Sequence, residues 1–219
     1  MQPKPTILAF DTSAAHCAAA LLSGDRIITR IDAMAKGQAE HLMPMLENLL
    51  ASEGLVWRDL DAIGVGMGPG NFTGIRISVA AARGLALGLG KPAIGVSTLE
   101  AQVFGITGTV ASCLSAPRGK AYLQGFCDGP TTEPALCMLQ ANEMPALPPK
   151  ADPQVCGDCA DAVAAVTGWR TVAPVMEPIA SMAYLARQRL HSNRHRPAPL
   201  YLRPADAAPP RDPAPVILP

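Results

Sequence analysis

Aromatic residues are scarce in this sequence, at 4% of 219 positions, so its core must be filled by aliphatic and small side chains rather than by a few large rings. It also lacks any excess of charge: 18 Lys and Arg balance 18 Asp and Glu. A chain without a net field is not drawn bodily to nucleic acid or to an anionic membrane, so any RNA contact is local or made through a partner. No second CxxC accompanies Cys156 and Cys159, which removes a zinc ribbon. The six cysteines, scattered at 17, 113, 127, 137, 156 and 159, read as buried small residues rather than as a disulfide framework, a metal site or a redox pair. Asp11 interrupts the first apolar run before a signal-peptide core is complete, and Gly105 and Gly108 break the longest uncharged stretch. The expectation is a cytoplasmic chain with no membrane segment.

What is present is ample apolar material, 49% of residues, enough for one large domain or two small lobes. TILAF at 6–10, the run from His16 to Leu22 and RIITRI at 26–31 predict a three-strand meander. Leu42, Met43, Leu46, Leu49 and Leu50 recur at helical spacing and predict a helix over 38–53, which Pro44 either starts or kinks. A strand at 62–66, a glycine loop, a helix at 73–89 and a strand at 92–96 follow. The second half repeats this loosely: strands at 109–115, 120–127, 135–139 and 154–156, a helix at 158–167, a strand at 171–175 and a helix at 178–192. The expected fold is α/β with two similar lobes, 1–103 and 104–196, related by a degenerate internal duplication. The tail, 197–219, carries eight prolines that forbid regular helix. YLRP at 201–204 can still dock there as a strap.

Residues 66–74 hold four glycines, and a run of small residues follows to Gly90. The loop departs from a Walker A motif, because Gly74 is followed by Ile75 and Arg76 rather than Lys and Ser or Thr. It departs from a dinucleotide fingerprint too, with Thr73 where the third glycine belongs. On the helix, Gly74, Ser78, Ala82 and Ala86 recur every four residues, with Ala81, Gly84 and Gly88 beside them. Such a bare face permits close approach, either to the protein's own sheet or to a partner subunit. Arg76 and Arg83 within the run argue against a membrane span.

LAFDTS at 8–13, the segment 37–50 with its HLMP core, GVGMGPGNFTGIRISVAAARGLALGLGKP at 64–92, GVSTLEA at 95–101 and PLYLRP at 199–204 together resemble the TsaB (YeaZ-like) family. That family supplies the partner subunit of the bacterial machinery making threonylcarbamoyladenosine in tRNA. The resemblance implies a two-lobed fold of the actin, Hsp70 and sugar-kinase (ASKHA) type. It implies a non-catalytic subunit that docks on TsaD, the related subunit modifying the adenosine next to the anticodon, and helps recruit the ATPase subunit TsaE. It also leaves a homodimer of the isolated chain open, and tRNA is reached only indirectly. In the family the helices corresponding to 38–53 and 73–89 form the dimer surface. The implied contact residues are His41, Met45, Gly70, Phe72, Thr73, Gly74, Arg76, Ser78, Ala81, Ala82 and Leu85.

Active members of the fold hold a metal-bound phosphate with an Asp at the end of the first strand. Asp11, Thr12 and Ser13 occupy that place as a vestigial phosphate position. Where a Gly-Gly pair would meet adenosine, this chain has Val155-Cys156-Gly157-Asp158. The expectation is no catalytic residue, no metal and no cofactor of its own, with Mg-ATP bound only weakly or within the complex. HSNRH at 191–195 has the spacing of a helical metal pair, but arginines at 187, 189, 194 and 196 repel a cation and Pro197 ends the helix. The cluster at 187–203 is the one local feature suited to tRNA phosphates. Ser115 stands where relatives usually carry an aspartate. The competing class is an enzyme in its own right, a small-molecule kinase or ATPase of the same fold, or a glycoprotease-type peptidase.

Overall fold

The computed structural model describes residues 4–140, 144, 152–192 and 195–202. The predicted meander is present as β1 (Thr6–Asp11), β2 (His16–Ser23) and β3 (Arg26–Ala33), paired antiparallel. Helix α1 (Gln38–Ser52) follows, then β4 (Ala62–Gly66), α2 (Phe72–Leu89), β5 (Ala93–Val96) and α3 (Thr98–Val103). β4 and β5 join β1 in parallel, giving the sheet order β3-β2-β1-β4-β5. The second half supplies β6 (Val110–Ala116), β7 (Lys120–Phe126), β8 (Ala135–Met138), β9 (Gln154–Gly157), α4 (Ala160–Thr167), β10 (Arg170–Thr171) and α5 (Pro178–Arg189). Its sheet runs β10-β9-β6-β7-β8. Read from the other edge, that is the order of the first sheet, strand for strand, with the same antiparallel and parallel pairings. The duplication is therefore real at the level of topology, and the architecture is α/β, built on two five-stranded sheets of the same strand order.

Strand alternation decides which helix each residue meets. Along β1, Leu8 and Phe10 face α1 and α2, while Ile7 and Ala9 face α5, all four fully buried. In the second sheet α3 covers one face, with Leu99 and Val103 against Val110, Tyr122 and Phe126. α4 covers the other, with Ala160 and Val163 against Ala111, Leu123 and Val155. The final helices are exchanged: α3 leaves the first sheet to pack on the second, and α5, from the stretch read as the second lobe, returns to the first. The lobes are thus interlocked, and Glu100 of α3 pairs with Arg189 of α5.

Two expected elements differ in extent. α5 stops at Arg189 rather than 192, and the strand expected at 171–175 is only the two residues of β10. Pro44 lies inside α1 rather than at its start. It removes one helical N–H, and the buried row Leu42, Met45, Leu46, Leu49 and Leu50 holds the helix on the sheet across that gap. Part of the tail docks as a strap, Leu200 N donating to Met67 O at 2.8 Å. Arg203, Pro204 and the rest of the tail lie outside the described residues.

Candidate functional site

The glycine loop and α2 meet the turn after β1. Asn71 caps α2, its Oδ1 accepting from Gly74 N at 2.9 Å. Asn71 N in turn donates to Ser13 O at 2.6 Å, and Thr12 Oγ1 donates to Gly74 O at 2.6 Å. A Cβ at Gly74 would overlap the Thr12 carbonyl oxygen, and one at Gly70 the Ser13 carbonyl oxygen. The glycines of this loop therefore serve close backbone approach within the chain, and they close over the turn where a phosphate would have to enter.

Beneath that cover lie Asp11, Thr12 and Ser13, each 4% exposed or less. Asp11 Oδ2 accepts from Ser13 N at 3.1 Å and Ser13 Oγ at 2.8 Å, with His16 Nε2 at 3.3 Å. Oδ1 has no hydrogen-bond partner and faces Gly66, where any side chain would overlap it. One carboxylate oxygen sealed between a glycine and a backbone turn does not fit a nucleotide-bound metal, which needs open coordination positions. No chemical step is derived through such a group.

The stripe Gly74, Ser78, Ala82 faces inward. Ser78 and Ala82 are fully buried, and Ser78 Oγ donates to Gly66 O at 3.2 Å and Ile75 O at 3.1 Å. Met45 of α1 is also in the core, 1% exposed. Met45, Gly74, Ser78 and Ala82 are therefore corrected as contact residues: the sheet below demands short side chains at the last three and takes Met45 as filling. Gly70 is half-buried against the turn. Ala81 and Leu85 are partly covered by the same core. His41 is half-buried with Nε2 2.6 Å from Asp32 Oδ2 on β3. Phe72 stacks on Tyr201 of the strap at 4.6 Å between centroids, with the Arg76 guanidinium 4.0 Å above Phe72 and its Nε donating to Tyr201 OH at 2.9 Å.

The open side of α2 is a different stripe. Thr73, Arg76, Ala80, Arg83, Gly84, Leu87 and Gly88 are exposed at spacings of three and four, one continuous helical face. Leu87 is 85% exposed, and space above Gly84 and Gly88 is open. Of the expected contact residues only Thr73 and Arg76 lie on it. Gly84 and Gly88, read from the sequence as lying beside the bare face, are on this stripe as well, whereas Ala80, Arg83 and Leu87 were not read as part of it, although the same period-four spacing taken two residues later runs through Ala80, Gly84 and Gly88. At its end α2 borders a groove of about 570 Å³ whose lining includes Gly84, Leu87, Pro92 and Pro197, with Arg83, Lys91 and Arg196. By length and apolarity alone α2 could cross a bilayer, at a mean hydropathy of 1.3. Its docked inner face and its two outward arginines instead make it a core helix with an open back.

The basic cluster resolves into unlike parts. Arg187 Nη1 donates to Gly24 O at 2.7 Å and Arg189 pairs with Glu100, so both tie the structure internally. Arg194 and Arg203 lie outside the described residues. His191 and His195 fall beyond the end of α5, so they do not share a helix face. Among the described residues no three His, Cys, Asp or Glu side chains converge on a metal position.

A family model, TsaD, tRNA N6-adenosine threonylcarbamoyltransferase, matches residues 32–136. The tRNA threonylcarbamoyladenosine biosynthesis protein TsaB of Escherichia coli (strain K12) is 34% identical over 121 residues, 53% of this chain and 52% of that protein. Its counterpart in Haemophilus influenzae is 41% identical over 98 residues, 44% of this chain and 41% of that protein. The matched stretch thus spans about half the length of these curated relatives. Among solved structures, YeaZ from Pseudomonas aeruginosa superposes with a TM-score of 0.73 and 26% identity, covering 90% of this chain and 100% of that chain. A second structure, described as an uncharacterized Pseudomonas aeruginosa protein with similarity to peptidase YEAZ, gives a TM-score of 0.74 at 26% identity, covering 91% of this chain and 100% of that one.

Proposed function

Since the chain belongs to the TsaB/YeaZ family, we propose that it is a non-catalytic subunit acting in the cytoplasm in tRNA threonylcarbamoyladenosine biosynthesis. It docks on TsaD through the open back of α2, with the adjoining surface of α1, and the pair then recruits TsaE and acts on the tRNA adenosine next to the anticodon. One observation carries this reading: a helix face of small residues and two arginines on which Leu87 stands 85% exposed, in a protein whose other large apolar side chains are mostly covered. Leaving such a face in water forgoes about 2 kcal/mol for one leucine alone. A close-packing partner helix recovers it, and bare positions such as Gly84 and Gly88 let that helix approach.

The competing reading, an independent kinase, ATPase or peptidase, needs a phosphate or metal position, and the Asp11 corner is closed by its own loop. Co-purification with TsaD tests the proposal. Leu87→Glu and Gly84→Trp are expected to abolish the association while changing unfolding free energy by no more than about 0.5 kcal/mol, as open surface positions do. Retention of the complex by both variants sinks this docking face. Turnover of ATP or peptide by the isolated chain sinks the non-catalytic role.

A further inference from the structure

The groove of about 570 Å³ at the end of α2 is built from three pieces of chain. Arg83 and Leu87 line it from the exposed back of α2. Gly90 ends that helix in the left-handed conformation, φ +65°, its N–H bonded to Ala86 O. The turn that follows brings in Lys91 and Pro92, and the segment after α5 brings in Arg196 and Pro197. Pro92 and Pro197 are walls with no side-chain rotamers to lose when something binds against them.

Its charge is of one sign. Among the described residues no Asp or Glu lines the groove, and the side chains of Arg83, Lys91 and Arg196 make no ion pair or hydrogen bond. The C-terminal end of α2 brings about half a negative charge to this region, which three cations outweigh. Like charges set along a low-dielectric wall focus their field into the space between them. Beside them stands an apolar contact, Leu87, 85% exposed. The two properties together select the occupant. Inorganic phosphate or an RNA backbone would meet the cations and leave Leu87 in water, and among the described residues no Phe, Tyr or Trp lines the groove to stack a base. An uncharged protein surface would cover Leu87 but strand the cations without partners, which costs more than one leucine returns. Carboxylates placed around an aliphatic side chain satisfy both.

Resting on the proposed docking of TsaD over α2, we infer that this groove receives an acidic peptide segment of that partner. An aliphatic side chain of the segment packs on Leu87, and its carboxylates meet Arg83, Lys91 and Arg196. Arg83 and Leu87 belong to the docking face itself, so the segment enters as an extension of that contact, while Lys91 and Arg196 lie outside α2 and serve the groove alone. The charges steer and orient the partner, and the apolar anchor supplies the tighter hold.

The test uses the full chain and two fluorescein-labelled synthetic peptides, Glu-Asp-Glu-Leu-Leu-Glu-Asp-Glu and the same sequence with serine for both leucines, read by fluorescence anisotropy. The leucine peptide should bind at least about tenfold tighter than the serine peptide, as burial of one leucine allows. Its affinity should fall at least about fivefold between roughly 50 and roughly 500 mM NaCl. Lys91→Glu combined with Arg196→Glu should weaken it at least about tenfold at the lower salt. Equal binding of the two peptides, or binding indifferent to salt and to the double variant, would overturn the inference. Tighter binding of oligouridylate than of the leucine peptide would overturn it in favour of RNA, and a sedimenting dimer of the full chain that the double variant abolishes, in favour of a second copy. The peptide and salt contrasts are read on the wild type, so they do not depend on any variant folding. Loss of peptide binding with TsaD still co-purifying removes the groove and spares the docking face; peptide binding without TsaD co-purification spares the groove and removes the docking face.

Discussion

The two sheets share one strand order, and the corner where the first strand of each meets the parallel fourth is occupied by different chemistry. In the first sheet the corner holds Asp11 against Gly66, and α2 is drawn down on it by Gly74. In the second it holds Cys113 against Gly157, and α4 begins just beyond that glycine, with Cys159 at its N-cap. What both corners need is a residue with no side chain on the parallel neighbour, because a helix must turn back over the strand end at backbone distance. What the corner residue does chemically is free to diverge. One is a sealed carboxylate and the other a buried thiol.

Filling the two corners with a methyl group is the strongest way to break that parallel. In Gly157→Ala the new Cβ overlaps backbone, and the positive φ is itself unfavourable for alanine, so a loss of more than about 3 kcal/mol is expected. Gly74→Ala meets the Thr12 carbonyl at a helical φ and should cost about 2 to 3 kcal/mol. Gly66→Ala meets only the Asp11 side chain, which can shift, and should cost about 1 to 2 kcal/mol. Denaturant unfolding at constant m-value ranks the three. An order with Gly66 most sensitive would mean that the carboxylate corner, rather than the thiol corner, is the rigid one.

A milder contrast lies along α2 itself. Gly84→Ala adds a methyl group to open space on the exposed back, and should raise stability by about 0.5 to 1 kcal/mol through helix propensity alone. Against the loss at Gly74, one helix would then show opposite signs for the same substitution ten residues apart. A loss at Gly84 in the isolated chain would mean that its back is already covered, and the docking face would have to be sought elsewhere.

That sign difference also explains what could and could not be read from sequence. The strands and helices were legible because runs such as TILAF and the Leu42 to Leu50 repeat carry period 2 or 3.6 plainly, and the duplication followed from their order. The facing of α2 was not. Gly74, Ser78 and Ala82 look like Ala80, Gly84 and Gly88 two residues on, roughly 200° around the helix, and neither set has the bulk or polarity that marks inside from outside. The Asp11 turn was legible as a position, but its closure depends on backbone contacts with residues some sixty further along the chain, such as Thr12 to Gly74. Cys113 and Cys159 share one small core only through the β6–β9 register, whereas the local CxxC set Cys159 beside Cys156, which strand alternation sends to the other face.

The smallest effect concerns an edge strand. β3 is tied to α1 where Asp32 meets Arg30 on its own strand, with N–O distances of 3.1 and 3.2 Å, and His41 across at 2.6 Å. Hydrogen bonds from Arg30 first, and then from His41, hold the Asp32 carboxyl below its ordinary 3.8. A carboxyl depressed in the folded state stabilises fully above its unfolded pKa and loses that contribution as pH falls through the lower, folded value. The wild type should therefore lose an increment of stability below about pH 4 that Asp32→Asn does not lose. Because the group is partly exposed, the increment should be under about 1 kcal/mol and shrink with salt. Melting temperature against pH for the two proteins, at low and high ionic strength, measures it. Parallel curves would mean that α1 is held on the sheet by Leu42, Leu46 and Leu49 alone, and that β3 owes nothing to its charges.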